Sequence, residues 1–148
     1  MAKETLVREH FTDDMIANGD ELLRRLKNKH IEIAAAFWLY VPEAEEWRLT
    51  LVSPQVDSEG PKRLYNTIRE ALREAADGKA LGLDLLNITV LSPNDTIARV
   101  LASANDLVAL SGKRLSGYRL NGIYVEDVYI YFVDGSVKPM PGPKWISK

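Results

Sequence analysis

Residues 31–53 read I-E-I-A-A-A-F-W-L-Y-V, then P-E-A-E-E, then W-R-L-T-L-V-S. Two apolar, β-branched and aromatic runs flank a short acidic connector that opens with Pro42. That pattern predicts a β-hairpin. The first run is almost continuously apolar from Ile33 to Val41. A strand of that kind has both faces covered, so it is expected at the centre of a sheet. The second run alternates: Trp47, Leu49 and Leu51 point one way, Arg48 and Thr50 the other.

Upstream of the hairpin, Thr12-Asp13-Asp14 reads as a helix start. A hydroxyl caps it, and two carboxylates lie at the positive end of the dipole. Ile16, Leu23, Leu26 and His30 follow at roughly helical spacing, and Gly19 is a candidate break. Arg24, Arg25, Lys27 and Lys29 sit near the C-terminus, where cations complement the dipole on a solvated face. The functional alternative for this cluster is a phosphate or nucleic-acid contact.

Downstream, P-Q-V-D-S-E-G-P after Ser53 predicts a loop. Pro61 suits a first helical position, and Leu64, Ile68, Leu72 and Ala75 recur as the buried stripe of an amphipathic helix. Asp77-Gly78 should end it. L-L-N-I-T-V-L-S then gives a third strand from about Leu85 to Leu91. Strand, helix, strand at this spacing predicts a βαβ unit with parallel strands and a right-handed crossover. A short helix follows, capped by Asn94, Asp95 or Thr96, with Ile97, Val100, Leu101 and Ala104 inward. Leu107 to Leu110 reads equally as strand or helical turn.

Two further runs flank Asn121-Gly122, a strong type I′ hairpin turn. On the second run Val128, Ile130 and Phe132 should share one face, Tyr129 and Tyr131 the other. Glu126-Asp127 interrupts the pattern, as a bulge or an exposed edge would. The order αββαβαββ predicts an α+β fold, a mixed sheet of about five strands with three helices. Residues 1–134 form one domain in this reading, and the Pro-rich 135–148 is an extended or mobile tail.

Composition narrows the function. The chain has 148 residues, 46% hydrophobic and 27% charged, which suits one soluble globular domain. A net charge of −2 supplies no global field for nucleic acid, which is not expected as a partner. No apolar run approaches the ~20 residues of a membrane span, so no membrane partner is expected. The N-terminus lacks a signal-peptide core, which points to the cytoplasm. There is no cysteine, which excludes disulfides, thiolate metal sites and cysteine nucleophiles. His10 and His30 are spaced too far apart for a metal pair on one helical turn. No G-x-S-x-G elbow, P-loop or G-x-G-x-x-G occurs, and no cofactor or resident metal is expected.

Three sets of residues could carry a site. V-S-P-Q-V-D and L-S-P-N-D each follow a strand and precede a helix. Parallel strands would place both loops at one end of the sheet, bringing Ser53, Asp57, Ser92, Asn94 and Asp95 together, with Lys62 and Arg63 nearby. The bland reading is that serine turns the chain and Asp or Asn caps a helix. The second set is acidic: Glu32, Asp57, Glu126 and Asp127, carboxylates of the kind that hold Mg²⁺ for phosphodiester hydrolysis. The element order is loosely similar to the restriction-endonuclease core. The nearest match to that family's acid-x-Lys is Glu46-Trp47-Arg48, with Arg in place of Lys and no well-placed aspartate before it. The third set is aromatic: Tyr129 and Tyr131 beside Glu126 and Asp127 form a docking surface if their face is exposed, and the edge strand beside them could accept a partner's strand.

The segments W-L-Y-V-P-E-A-E-E-W-R-L-T-L-V-S-P-Q-V-D-S-E-G-P and N-G-I-Y-V-E-D-V-Y-I-Y resemble an uncharacterised family of small bacterial proteins. The likeness runs from Asp14 to about Tyr131. It implies a bacterial, cytoplasmic protein with one compact domain, and it supplies no catalytic residues. The expected function is a non-catalytic protein-interaction or self-assembly module, with a protein partner or a homo-oligomer. The alternative is a metal-dependent phosphodiester hydrolase with Asp57, Asp95, Glu126 or Asp127 as ligands and Lys62 or Arg63 on the phosphate.

Overall fold

The computed structural model of the chain describes residues 10–74, 81–111 and 113–140. Helix α1 spans Asp13–Asn28. Thr12 caps it as expected: its Oγ1 accepts from the Met15 N–H at 3.2 Å, and the Met15 sulfur accepts from the Thr12 N–H. The hairpin follows as β1 (Ala35–Val41) and β2 (Glu46–Val52), paired from Ala35↔Val52 to Val41↔Glu46. The expected loop after Ser53 holds a short helix, α2 (Gln55–Glu59), because Pro54 and the hydroxyl of Ser53 start a turn there. Helix α3 (Pro61–Arg73) begins on Pro61 and buries Leu64, Ile68, Ala71 and Leu72. Ala75 and Asp77-Gly78 lie outside the described residues.

A 3-10 turn at Leu85–Asn87 takes the start of the expected third strand, and β3 is Ile88–Leu91. Asp84 causes this, since its side chain accepts from the Leu86 N–H and closes the turn. Helix α4 (Thr96–Ser111) continues through Leu107 to Leu110, and Asp95 caps it through the Ile97 N–H at 2.8 Å. The last hairpin is β4 (Arg114–Leu120) and β5 (Ile123–Val133). Its turn residues Asn121 and Gly122 have φ of 53° and 79°, as a type I′ turn requires.

The strands form one mixed sheet in the order β3-β2-β1-β5-β4. This is the α+β fold expected, with β1 central and β2 parallel to β3. Helices α1 and α3 cover one face, packing Leu22, Leu26 and Ile68 over Trp38, Trp47, Leu51 and Tyr131. Helix α4 covers the other, packing Val100 and Leu101 over Phe37, Val52 and Ile130. Thr50 points away from Trp47, Leu49 and Leu51, as the alternation predicts, and lies buried on the α4 side of the sheet.

Three expectations about the helices change. Gly19 does not split α1, because the helix must approach the sheet there. A Cβ at Gly19 would stand 2.1 Å from the Tyr131 hydroxyl and 3.1 Å from Trp38 Nε1. The inward stripe of α1 is Gly19, Leu22, Arg25 and Leu26, and His30 is exposed. Ile97 at the start of α4 is 39% exposed rather than core. Beyond residue 134 the chain packs on α4 as far as Met140: Val137 is buried, and Arg99 donates to the Lys138 carbonyl at 3.0 Å.

Candidate functional site

The parallel pairing of β2 and β3 does bring the two Ser-Pro loops side by side, with the Ser53 N–H donating to the Leu91 carbonyl at 3.0 Å. Ser92 Oγ donates to Asp57 Oδ2 at 2.9 Å and accepts from the Asn94 N–H at 3.0 Å. Ser53 is fully buried. Its hydroxyl donates to the Glu32 carbonyl at 2.6 Å and accepts from the Gln55 N–H at 3.1 Å. Asp95 caps α4. Arg63 reaches Glu59 at 3.2 Å, and Lys62 is exposed. The loops converge, and their hydroxyls and carboxylates are engaged in turns, caps and one loop-to-loop hydrogen bond.

The acidic set is spread out. Asp57 lies in α2 beyond the end of β2, and Glu126 and Asp127 lie on β5, with β1 between the two strands. Asp127 is 3% exposed and accepts a fork from Arg114 at 2.9 and 3.0 Å. The strand register runs unshifted from Ser116↔Asp127 to Tyr118↔Val125, so Glu126-Asp127 is neither a register-shifting bulge nor an exposed edge. Glu46 pairs with Arg48 at 2.8 Å. Among the described residues no group of three or more His, Asp or Glu side chains could hold a metal ion.

The tyrosine face is covered. Strand β5 is interior, so the sheet edges are β3 and β4. Tyr131 is buried under α1, donating to the Ile16 carbonyl at 2.7 Å and accepting from Trp38 Nε1 at 2.9 Å. Burial pushes its phenol above the usual tyrosine range. Tyr129 meets Tyr131 edge-on at 5.2 Å, and Phe11 closes over it at 5.5 Å. Phe11 also stacks on Trp47 at 4.6 Å, with the Arg114 guanidinium 5.2 Å from its ring.

The site that alternation does not predict starts one residue further on. The β1–β5 pairing shifts between Ala36↔Phe132 and Phe37↔Ile130, leaving Tyr131 as the extra residue of a bulge. Phe132 therefore leaves the Val128–Ile130 face and joins Leu23 of α1 in a groove. The groove has a volume of about 510 Å³, with Leu23, Ile31, Ile33 and Phe132 as its apolar lining and Arg24 and Lys27 as its cations. Phe132 is 38% exposed there. No local sequence signal marks this site, because Val128, Ile130 and Phe132 alternate regularly with Tyr129 and Tyr131.

A second cavity of about 260 Å³ adjoins the groove, sharing Ile31. Lys29, His30, Gln55, Glu59, Arg63 and Thr67 supply its polar lining. His30 stands at the junction with φ 63°, in the left-handed position that ends α1, while the Ile31 N–H closes back on the Leu26 carbonyl at 3.0 Å. No described helix is long and apolar enough to cross a membrane. Compared with protein-family models, curated proteins and solved structures, the chain matches none, and the resemblance carried by the hairpin segments gains no support from them.

Proposed function

We propose that the protein is a non-catalytic binding module that docks a segment of a protein partner in the groove between α1 and the end of β5. The observation that carries this reading is Phe132. A regular strand would have buried it against Val128 and Ile130; the bulge instead leaves it half-exposed on an apolar floor with cations at the rim. Aromatic anchors of this kind dominate binding energy at protein interfaces. A bacterial, cytoplasmic setting is part of the proposal and rests on the resemblance of the hairpin segments.

The test is affinity selection of displayed twelve-residue peptides on the purified full chain. Peptides that bind should lose on the order of tenfold or more in affinity against Phe132→Ala, measured by fluorescence anisotropy. Peptides that bind both forms equally would place the docking site elsewhere and sink the reading.

A further inference from the structure

Ile31 lines both the groove and the polar cavity, so the two hollows lie side by side at the C-terminal end of α1 and are together termed the cleft. Its two ends differ in chemistry. One end is apolar, built on Leu23, Ile33 and Phe132. The rest is lined by Arg24, Lys27, Lys29 and Arg63, with Glu59 as the one carboxylate among the lining residues. Glu21, Glu74 and Glu59 pair with three of these cations, so Lys27 carries the unbalanced positive charge here, on a chain whose net charge is −2.

The cations are available to a ligand. Arg24 pairs with Glu21, Lys29 with Glu74 and Arg63 with Glu59. All three pairs are solvent-accessible, and pairs of that kind contribute little, so an incoming carboxylate can replace the internal one. Lys27 is exposed and pairs with no carboxylate among the described residues.

We infer that the cleft takes a short acidic segment of a protein partner, with a large apolar side chain beside Phe132 and carboxylates on Lys27, Lys29 and Arg63. This rests on the docking reading above and adds the chemistry of the partner. Charge complementarity selects the occupant. A second copy is disfavoured, because a two-fold contact across the groove would set Arg24 and Lys27 against their own counterparts.

The experiment uses the same displayed-peptide selection, with anisotropy on the binders at low and high salt. Binders should combine Leu, Ile, Phe or Trp with several Asp or Glu. Their affinity should fall at least tenfold for the Lys27→Glu/Arg63→Glu double variant and fall with added salt. Both positions are exposed, so the variant should fold as the parent does, with only a small drop in melting temperature from the acid at the C-terminal end of α1 and the lost Arg63–Glu59 pair. Binders that need Phe132 but ignore the double variant and salt would overturn the acidic partner and leave the docking reading standing. Binders indifferent to Phe132→Ala, or none above an unrelated control protein, would overturn both. A dimer in light scattering that Phe132→Ala dissolves would assign the groove to a second copy and overturn the proposal. So would binding to phosphatidylglycerol vesicles that the double variant abolishes while no peptide is selected.

Discussion

Tyr131 and Gly19 show how one residue position is set by another far away in the chain. The Tyr131 hydroxyl satisfies the buried indole N–H of Trp38 and ties α1 down at Ile16. Tyr131→Phe removes that acceptor and leaves the Trp38 N–H without a partner. The expected cost is about 1–3 kcal/mol, read as a lower urea midpoint at unchanged m-value. Gly19 makes room for the same hydroxyl. Alanine is the better helix former by about 1 kcal/mol, so an open surface helix would gain from Gly19→Ala. Here the new Cβ would stand 2.8 Å from Tyr131 Cζ, and the Tyr131 ring is held by the sheet. We expect Gly19→Ala to destabilise the fold by about 1–3 kcal/mol through overpacking. A thermal melt at or above the parental midpoint would refute that close approach.

At the scale of elements, Arg25 joins two helices. It is 6% exposed, and its guanidinium donates to the Ala71 and Glu74 carbonyls, each at 2.7 Å. Ala71 lies in the last turn of α3 and Glu74 is its C-cap, positions where helix carbonyls run out of intrahelical donors. Glu21 steadies the same guanidinium from Nε at 3.0 Å. Arg25→Met keeps much of the volume and removes both donors. The expected loss is about 2–3 kcal/mol. Faster amide exchange at the end of α3 than in β1 would localise it. The two sheet edges also differ. Strand β3 is only four residues long, and the Tyr65 hydroxyl from α3 accepts from its Val90 N–H at 3.0 Å. That edge is thereby blunted against strand addition, while β4 is guarded by Arg114 and Arg119.

For the whole molecule, burial of Tyr131 links stability to alkaline pH. Its folded value lies above the ordinary 10.0, with desolvation as the largest cause. The unfolded chain therefore releases this proton first. Stability from the buried phenol is fully present below the unfolded value and is lost as pH rises from there toward the folded one. The slope from this one group approaches about 1.4 kcal/mol per pH unit. Urea midpoints between pH 9 and 11.5 should fall more steeply for the parent than for Tyr131→Phe. Parallel curves would mean that Tyr131 titrates alike in both states.

Much of this architecture is written locally. The Ile31–Ser53 hairpin, the Thr12 cap, Pro61 at the start of α3 and the Asn121-Gly122 turn follow from periodicity and backbone preference over a few residues. The parallel βαβ unit follows from their order, and with it the meeting of the Ser-Pro loops. The bulge at Tyr131, the burial of Tyr131 beneath Gly19, the reach of Arg25 to α3 and the groove at Phe132 do not. They depend on contacts between residues 46 to 115 positions apart, such as Arg25 with Ala71 and Tyr131 with Ile16. Alternation sorts a strand's side chains only while its pairing stays regular. Where α1 presses on the sheet, packing shifts that pairing by one residue, and the shift turns Phe132 out of the core into the cleft.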